Sequence, residues 1–206
     1  MFGRAATQSR VASPPYDRPG ANIVFWGLVA LFLLGERAVR LRSRANRRGT
    51  PSERWSLLVV VVAIGAALGG GLVLAQRDVA TITSGRWPLF ALGLALMVAG
   101  IAIRHWAILT LGRFFTVDVR VQPGQTVVDS GPYRWVRHPS YTGMIVFFVG
   151  LGLALTDWAS LAALALLPTA GLIVRIRSEE RTLLDGLGEQ YRRFAATRRH
   201  LFPGVW

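Results

Sequence analysis

The stretch WSLLVVVVAIGAALGGGLVLA, residues 55–75, runs for 21 residues without a charged side chain. A helix needs roughly 20 apolar residues to cross a hydrocarbon core about 30 Å thick. The segment therefore predicts a transmembrane helix. It is the clearest of five apolar stretches, and together they predict an all-α integral membrane protein of about five transmembrane helices.

The first apolar stretch, residues 22–35, is short for a membrane span. It offers 14 uncharged residues before Glu36 and Arg37. Such a helix spans the bilayer only if Arg37 and Arg40 extend their charged ends to the interface. The preceding residues, 1–21, are polar and proline-containing and lack a convincing cleavage site, so we expect a disordered arm and no signal peptide.

Three more apolar stretches follow the clearest one: residues 87–103, 141–155 and 158–174. Only Thr156 and Asp157 separate the last two, which predicts a tight helical hairpin followed by a cytoplasmic C-terminal helix. We therefore expect transmembrane helices 1–3 within residues 22–111 and helices 4–5 with the polar tail within residues 112–206.

Rows of small residues predict where the helices pack against each other. Small side chains spaced by four let two helices approach closely in lipid. On this basis the third helix would pack through Ala91, Ala95 and Ala99, and the fourth through Gly150 and Ala154.

The charge distribution predicts a membrane partner and an orientation. The formal charge is +13 and all 24 basic residues are arginine, which could indicate nucleic acid. The arginines flank apolar runs, however, so we expect membrane lipids and no nucleic acid. Residues 37–54 hold seven arginines and residues 76–86 hold two. The positive-inside rule then places the N-terminus outside, and the 112–140 loop and the tail after Arg175 in the cytoplasm.

The densest group of functional side chains is GPYRWVRHPSYTG, residues 131–143. Its Gly-Pro opening predicts a turn, and Pro139 predicts the start of the fourth helix. Arg137 and His138 would then lie at a helix N-terminus, which attracts an anion such as a carboxylate or a phosphate. Aromatic and arginine residues also serve as interfacial anchors. The preferred site candidates are Tyr133, His138 and Tyr141.

A second polar cluster, RIRSEER at residues 175–181, follows the fifth span. Arg175 and Glu179 are four residues apart and share one face of a continuing helix. On spacing alone, a surface ion pair worth about 0.3–0.5 kcal/mol is the favoured interpretation.

Residues 104–203 resemble the isoprenylcysteine carboxyl methyltransferase family. The resemblance is carried by RHWAILTLG from residue 104, GPYRWVRHPSYTG from 131, RSEE from 177 and GEQY from 188. It implies a carboxyl O-methyltransferase that binds S-adenosylmethionine at the cytoplasmic ends of the last helices, so that residues 112–206 form the cofactor-binding catalytic half. No glycine fingerprint follows a predicted strand, in agreement with a site unlike the Rossmann fold.

The resemblance also implies roles for single residues. Arg175 would hold the carboxylate of a lipid-linked, isoprenylcysteine-like substrate, and Glu179 would bind the cofactor, with both acting in catalysis. Arg104 could guide the polar end of the substrate, although an interfacial anchor is the preferred interpretation. No metal is expected. The further cofactor contacts implied are Gln125, Thr126, Val127, Val128, Tyr133, His138, Pro139, Ser140 and Tyr141.

Three other functions stay open at this point. A phospholipid or other lipid N-methyltransferase shares the donor, but its amine acceptor needs no carboxylate-binding arginine. An NADPH-dependent membrane reductase has a related C-terminal pattern, although five spans are few for it. A non-enzymatic membrane protein would use the polar clusters only as anchors. The composition is typical of a bacterial inner (cytoplasmic) membrane protein, whereas prenylated cysteine is a eukaryotic feature, so the acceptor itself is open.

Overall fold

The structure is a computed structural model that describes residues 13–44, 51–77, 80–117 and 120–204. Its helices are α1 (Ala21–Arg44), α2 (Pro51–Gln76), α3 (Arg86–Leu111), α4 (Pro139–Ala154), α5 (Trp158–Leu187) and α6 (Glu189–Thr197). Short 3-10 turns are formed by Pro15–Asp17, Gly112–Phe114 and Gly131–Arg134. Apart from two isolated bridges, the described residues contain no strand, so the predicted all-α class is confirmed.

Four helices, α1, α2, α3 and α5, are long and apolar enough to cross a membrane. The chain is therefore an integral membrane protein. Helix α4 is apolar but has 16 residues, about 24 Å at 1.5 Å per residue, which is shorter than a hydrocarbon core of about 30 Å. Most of its residues are buried by neighbouring helices. The fifth crossing, assigned to this short helix, stays a prediction.

The closest helix approach joins α3 to α4. A Cβ added at Gly93 would lie 2.6 Å from the Gly150 carbonyl oxygen, and one at Gly100 would lie 2.6 Å from the Gly143 carbonyl oxygen. Neither site has room for a side chain. Because an early residue of α3 faces a late residue of α4, the two helices run antiparallel, and their backbones touch at glycines.

The predicted contact face of α3 was wrong. Ala91 and Ala95 are exposed, whereas Gly93 and Gly100 lie against α4. The buried face of α3 contains Met97 between these two glycines. The position of α4 therefore decides which face of α3 is in contact, and small size alone does not. On α4, Ala154 does lie against α3, at 2.9 Å from a Cβ added at Gly93, as predicted.

Helices α2 and α5 form a second antiparallel pair. A Cβ added at Gly171 of α5 would lie 2.9 Å from the Ala63 Cβ of α2. Near the other end, the Ser160 hydroxyl donates to the Gly71 carbonyl at 2.8 Å. The Asp157 carboxylate caps α5 by accepting from the Ser160 backbone N–H at 2.8 Å, so the α4–α5 turn is fixed at one end of the bundle.

Helix α1 lies against the other helices through aromatic rings. Phe32 stacks on Phe147 of α4 with ring centroids 3.9 Å apart. Of the predicted arm, residues 1–12 lie outside the described residues, and Tyr16 in the following 3-10 turn contacts Phe25 at 5.7 Å. The described part of that arm is thus structured. The opposite end of α1 reaches the end of the bundle that carries the polar clusters.

Candidate functional site

The segment before α4 adopts the predicted turn. Gly131 has φ +55, and a Cβ there would lie 2.8 Å from the Thr110 hydroxyl oxygen of α3, so both the backbone conformation and the close approach require glycine. Pro139 occupies the start of α4 and is fully buried. These two features hold the residues between them against the end of α3.

The C-terminal tail pairs with this segment. The Arg137 backbone N–H donates to the Arg199 carbonyl at 2.8 Å, and the His138 N–H donates to the His200 carbonyl at 2.9 Å. The tail thereby lies beside the N-terminus of α4 and brings the His200 side chain to the site. No spacing rule in the sequence predicted this contact.

Glu180 of α5 is the centre of a polar network. Its carboxylate oxygen Oε1 lies 2.7 Å from Arg137 Nη1 and 3.1 Å from His138 Nε2, and it accepts from the Tyr191 hydroxyl at 3.5 Å. The other oxygen lies 3.1 Å from His200 Nε2. Glu180, Arg137 and His200 were not among the site residues predicted from the sequence.

The surroundings of this network shift the pKa values of His200 and Tyr191. Burial, together with the neighbouring Arg137 guanidinium, lowers the pKa of His200 despite the Glu180 carboxylate beside it. Burial raises the pKa of the Tyr191 phenol, and the Glu180 carboxylate adds to that effect. Both groups are therefore neutral at pH 7, and the phenol can donate to Glu180.

Glu179, the residue before Glu180 on α5, has a different hydrogen-bond partner but shares His138 as a neighbour. The Tyr141 hydroxyl donates to Glu179 Oε2 at 2.7 Å, and His138 Nδ1 lies 4.0 Å from the same oxygen. The His138 and Tyr141 rings are stacked with centroids 5.7 Å apart. Burial raises the pKa of Tyr133, with the Glu179 carboxylate as the second cause. Three of the predicted candidates therefore surround one carboxylate.

Arg175 is not part of a surface ion pair. Its residue is 2% exposed, and its guanidinium donates from Nη1 to the Ser56 hydroxyl at 2.8 Å and from Nη2 to the Val117 carbonyl at 2.5 Å. These contacts join α2, α5 and the loop after α3. The sequence-only preference for an exposed pair with Glu179 is thus wrong.

Arg104 is also buried, and it is not an interfacial anchor. Its guanidinium forms a two-point ion pair with the Glu36 carboxylate of α1, with Nη2 2.7 Å from Oε2. Nη1 donates to the Ser140 hydroxyl at 2.7 Å. Since a buried guanidinium needs such partners, Arg104 ties α1 to the first turn of α4.

One cavity of about 460 Å³ connects these residues. It is lined by every predicted site residue except Pro139, which lies buried behind the wall. The lining set is Gln125, Thr126, Val127, Val128, Tyr133, His138, Ser140, Tyr141, Arg175 and Glu179. No group of three or more metal-ligating His, Asp or Glu side chains occurs in the described part of the chain.

The two sides of the cavity differ in character. The 125–128 loop packs through Val127 and Val128 onto an aromatic cluster that includes Tyr133, Tyr191 and Phe194. The facing wall comes from α1 and α2 and is mostly aliphatic. Its apolar members are Phe32, Leu33, Leu41, Leu57, Val60, Val61 and Ile64.

The family model described as the isoprenylcysteine carboxyl methyltransferase (ICMT) family matches residues 92–185. This segment, somewhat less than half of the chain, is therefore similar to the ICMT family. The matched segment contains most of α3, all of α4, most of α5 and all of the predicted site residues.

Curated proteins are similar to part of this chain. Protein-S-isoprenylcysteine O-methyltransferase B of Arabidopsis thaliana is 33% identical over 111 residues, which cover 53% of this chain and 56% of that protein. Uncharacterized protein YpbQ of Bacillus subtilis (strain 168) is 31% identical over 95 residues, 46% of this chain and 56% of that protein. The chain thus spans about half the length of the curated relatives it matches.

A solved structure shares the fold over nearly the whole chain. The eukaryotic intramembrane Ras methyltransferase ICMT superposes with a TM-score of 0.65 at 23% identity, covering 94% of this chain and 69% of that one. The ICMT-like membrane fold therefore extends to α1 and α2, which lie before the matched segment.

Proposed function

We propose that the protein is an S-adenosylmethionine-dependent carboxyl O-methyltransferase acting on a lipid-linked, isoprenylcysteine-like acceptor. The observation that carries the proposal is a single cavity with a polar side around Glu179 and an aliphatic wall from α1 and α2. Such a cavity can hold a polar cofactor and an apolar chain together. The names of the related proteins support the reaction class.

The residues present fit the cofactor. Its cationic end can face the Glu179 carboxylate, whose side chain is 22% exposed. Its adenine ring can lie on the aromatic and aliphatic surface of Tyr133, Tyr191 and Val127, which pack together. The cavity volume of 460 Å³ falls in the range of about 300–1,000 Å³ usual for ligand sites. Pro139 contributes indirectly, by starting α4.

The remaining proposed contacts come from the loop and from the α4 N-terminus. The Gln125 side chain accepts from the Gln122 backbone N–H at 2.8 Å, which fixes the turn beside Thr126 and Val128. His138 and Ser140 line the cavity from the other side. Both are held by partners within the protein, so the pocket is formed before a ligand enters.

Bound S-adenosylmethionine supplies an electrophilic methyl group. The acceptor carboxylate is already ionised at neutral pH, so no residue has to remove a proton. The task of the chain is to align the acceptor and to exclude water from it. Arg175 is held by Ser56 and Val117, and we assign its fixed guanidinium to the acceptor carboxylate. Tyr141 positions Glu179.

We also propose that the protein lies in the bacterial inner membrane with its C-terminus and site in the cytoplasm. The arginine-rich 37–54 segment begins within α1 at Arg37, which lines the cavity, and arginine-rich loops favour the cytoplasm. A C-terminal green fluorescent protein fusion should fluoresce. A dark, fully exported fusion would contradict this orientation.

Cofactor binding is the first test. Calorimetric titration of the detergent-purified protein with S-adenosylhomocysteine should give saturable binding, and Glu179→Gln should weaken it by about tenfold or more, the effect of losing one charged contact. Glu189→Gln is the matched control, because Glu189 pairs with Arg192 on the surface. Equal affinity in all three proteins would remove Glu179 from the site.

The reaction class is tested by the chemistry of the product. Protein supplied with methyl-tritiated S-adenosylmethionine and an N-acylated S-prenylcysteine should form a methyl ester, which releases volatile methanol in alkali. Label that resists alkali would instead indicate transfer to nitrogen and would contradict the carboxyl assignment.

A further inference from the structure

Three arginines of the cavity have no part in the proposed reaction. Arg37 and Arg40 of α1 line it together with Arg120 of the loop after α3. Arg37 and Arg40 are three residues apart, so they lie on one face of α1. The proposed acceptor carboxylate needs one cationic partner, for which Arg175 is available. The cavity therefore carries more positive charge than that reaction uses.

The described acids of the cavity cannot neutralise these arginines. Glu36 is occupied by the two-point pair with Arg104. Glu179 accepts from Tyr141 and lies 4.0 Å from His138 Nδ1, and it forms no salt bridge with any of the three arginines among the described residues. Among the residues that the structure describes, no carboxylate forms a salt bridge with Arg37, Arg40 or Arg120. Arg37 and Arg40 are exposed and Arg120 is half-buried, so the charge is accessible to a ligand that enters the cavity.

Arg120 provides an independent observation. Its Nε and Nη2 atoms are shielded from solvent, and neither has a hydrogen-bond partner among the described residues. Guanidinium donors that are shielded from solvent are normally hydrogen-bonded, because a shielded donor without an acceptor costs free energy. The planar guanidinium binds a carboxylate or phosphate through two parallel hydrogen bonds. An anion from outside the chain would satisfy these donors.

The aliphatic wall indicates what carries that anion. Leu33, Leu57 and Val61 line the same cavity as the three arginines. Leu33 is 49% exposed and Val61 41% exposed, so this wall reaches the surface that faces lipid. A ligand that fills both regions has an apolar chain and an acidic polar end.

We propose that Arg37, Arg40 and Arg120 form a second anion subsite for the lipid acceptor. The acceptor then carries an acidic group, a phosphate or a second carboxylate, in addition to the carboxylate that is methylated. This inference rests on the proposed function for the identity of the occupant. It makes the acceptor an acidic lipid of at least two negative charges.

The test compares lipids that share one acyl chain and differ in charge. Binding of lysophosphatidate, oleate and zwitterionic lysophosphatidylcholine to the detergent-purified full chain is measured by displacement of a fluorescent lysolipid. Lysophosphatidate should bind at least about tenfold more tightly than lysophosphatidylcholine, as expected for charged hydrogen bonds. Oleate should bind with intermediate affinity. Arg120→Gln and the double variant Arg37→Gln/Arg40→Gln should each remove most of the preference.

Matched controls are available on the same elements. Arg42→Gln removes a charge from α1, and Arg113→Gln removes one from the 3-10 turn after α3. Neither arginine lines the cavity, although the Arg113 guanidinium lies over the Phe114 ring. Both should keep the full preference. If the two controls lost it as strongly as Arg120→Gln, or if Arg120→Gln kept it, the subsite would be refuted.

Two more measurements separate the remaining explanations. A phosphorus assay of the purified protein showing one tightly bound phospholipid per chain would assign the arginines to a resident bilayer lipid and would overturn the acceptor assignment. Titration with S-adenosylhomocysteine in the same samples reports on the cofactor site. Its failure would refute the proposed methyltransferase while leaving the charge preference of the subsite as a separate result.

Discussion

The two sides of the cavity are held in place by different forces. The side formed by α3, α4 and the end of α5 combines backbone contact at Gly100 and Gly143 with the polar network of Glu180. The side formed by α1 is held by the Phe32–Phe147 ring stack and one ion pair between Glu36 and Arg104. The first side is rigidly joined, and the second depends on few contacts.

The two sides also differ in how far the family model covers them. The matched segment, residues 92–185, contains most of the rigid side but not Tyr191 and His200, whereas Glu36, Arg37 and Arg40 precede it. Under the proposed function, the cofactor lies against the rigid side and the acceptor against α1 and α2. The difference between the two sides therefore predicts that changes in α1 alter acceptor binding more than cofactor binding.

The largest effect is expected at the centre of the rigid side. Glu180→Ala leaves the Arg137 guanidinium, 11% exposed in its side chain, without its carboxylate. Removing one member of a buried pair costs about 3–5 kcal/mol. Unfolding in mixed SDS micelles should show a loss near the lower end, since the network is partly hydrated, and S-adenosylhomocysteine binding should be abolished.

Glu189→Ala is the control for Glu180. Its carboxylate also lies near two arginines, Arg192 and Arg193, but these side chains are 72% and 81% exposed. Exposed pairs contribute about 0–1 kcal/mol. A similar loss in both variants would mean that Glu180 has no special place in the fold.

A smaller and more selective effect is expected at the α1 side. Glu36→Gln keeps the shape and a hydrogen-bond acceptor for Arg104 but removes the charge, so we expect a loss of about 1–3 kcal/mol. The KM for the acceptor should rise, whereas the affinity for S-adenosylhomocysteine should stay within about twofold, because Glu36 lies on the acceptor side. Equal losses of both affinities would contradict the division into two sides.

Hydropathy predicted the helices well. Whether a helix can cross a membrane depends on the length and the composition of one continuous segment, and both can be read directly from the sequence. The density of functional groups in residues 131–143 likewise led to the end of the bundle that holds the cavity. The roles of Arg104 and Glu180 could not be found this way. Their partners lie on other helices: Glu36 is 68 residues from Arg104, and His138 is 42 residues from Glu180.

The face of α3 was missed for a related reason. Alanine and glycine are both small, so Ala91 and Ala95 looked as suitable for close packing as Gly93. The spacing of residues along the sequence predicts which of them share one helix face, but it does not predict which face contacts a neighbouring helix. That choice depends on the position of α4, which is fixed by the turn at Gly131 and by the tail.

The glycine contacts give a prediction of intermediate size. In Gly100→Ala the added Cβ would lie 2.5 Å from the Phe147 backbone nitrogen, so the α3–α4 contact must open, at a cost of about 1–3 kcal/mol. Gly27→Ala on α1 is the matched change, because a Cβ there meets no atom within 4 Å. It should be neutral or stabilise by up to about 1 kcal/mol. Equal destabilisation in SDS unfolding would contradict the difference between the two sides.

The smallest expected effect concerns acid. The folded pKa of His200 lies below its ordinary value, so the unfolded chain binds more protons than the folded one as the pH falls. The stability contributed by this group is fully present above the unfolded pKa near 6.5 and is lost as pH falls through the folded pKa. The melting temperature should therefore decrease from pH 7.5 to 5.5.

His200→Gln should reduce this decrease, because an amide does not titrate, while Glu180 and Arg137 keep a polar neighbour. His105→Gln is the control, since that ring bonds the Ile101 carbonyl on α3, away from the network. If His200→Gln kept the full acid dependence, another group would control it, and the tail would be a structural support without a titrating role. A reduced dependence would instead show that the C-terminal tail contributes a neutral imidazole to the rigid side of the cavity.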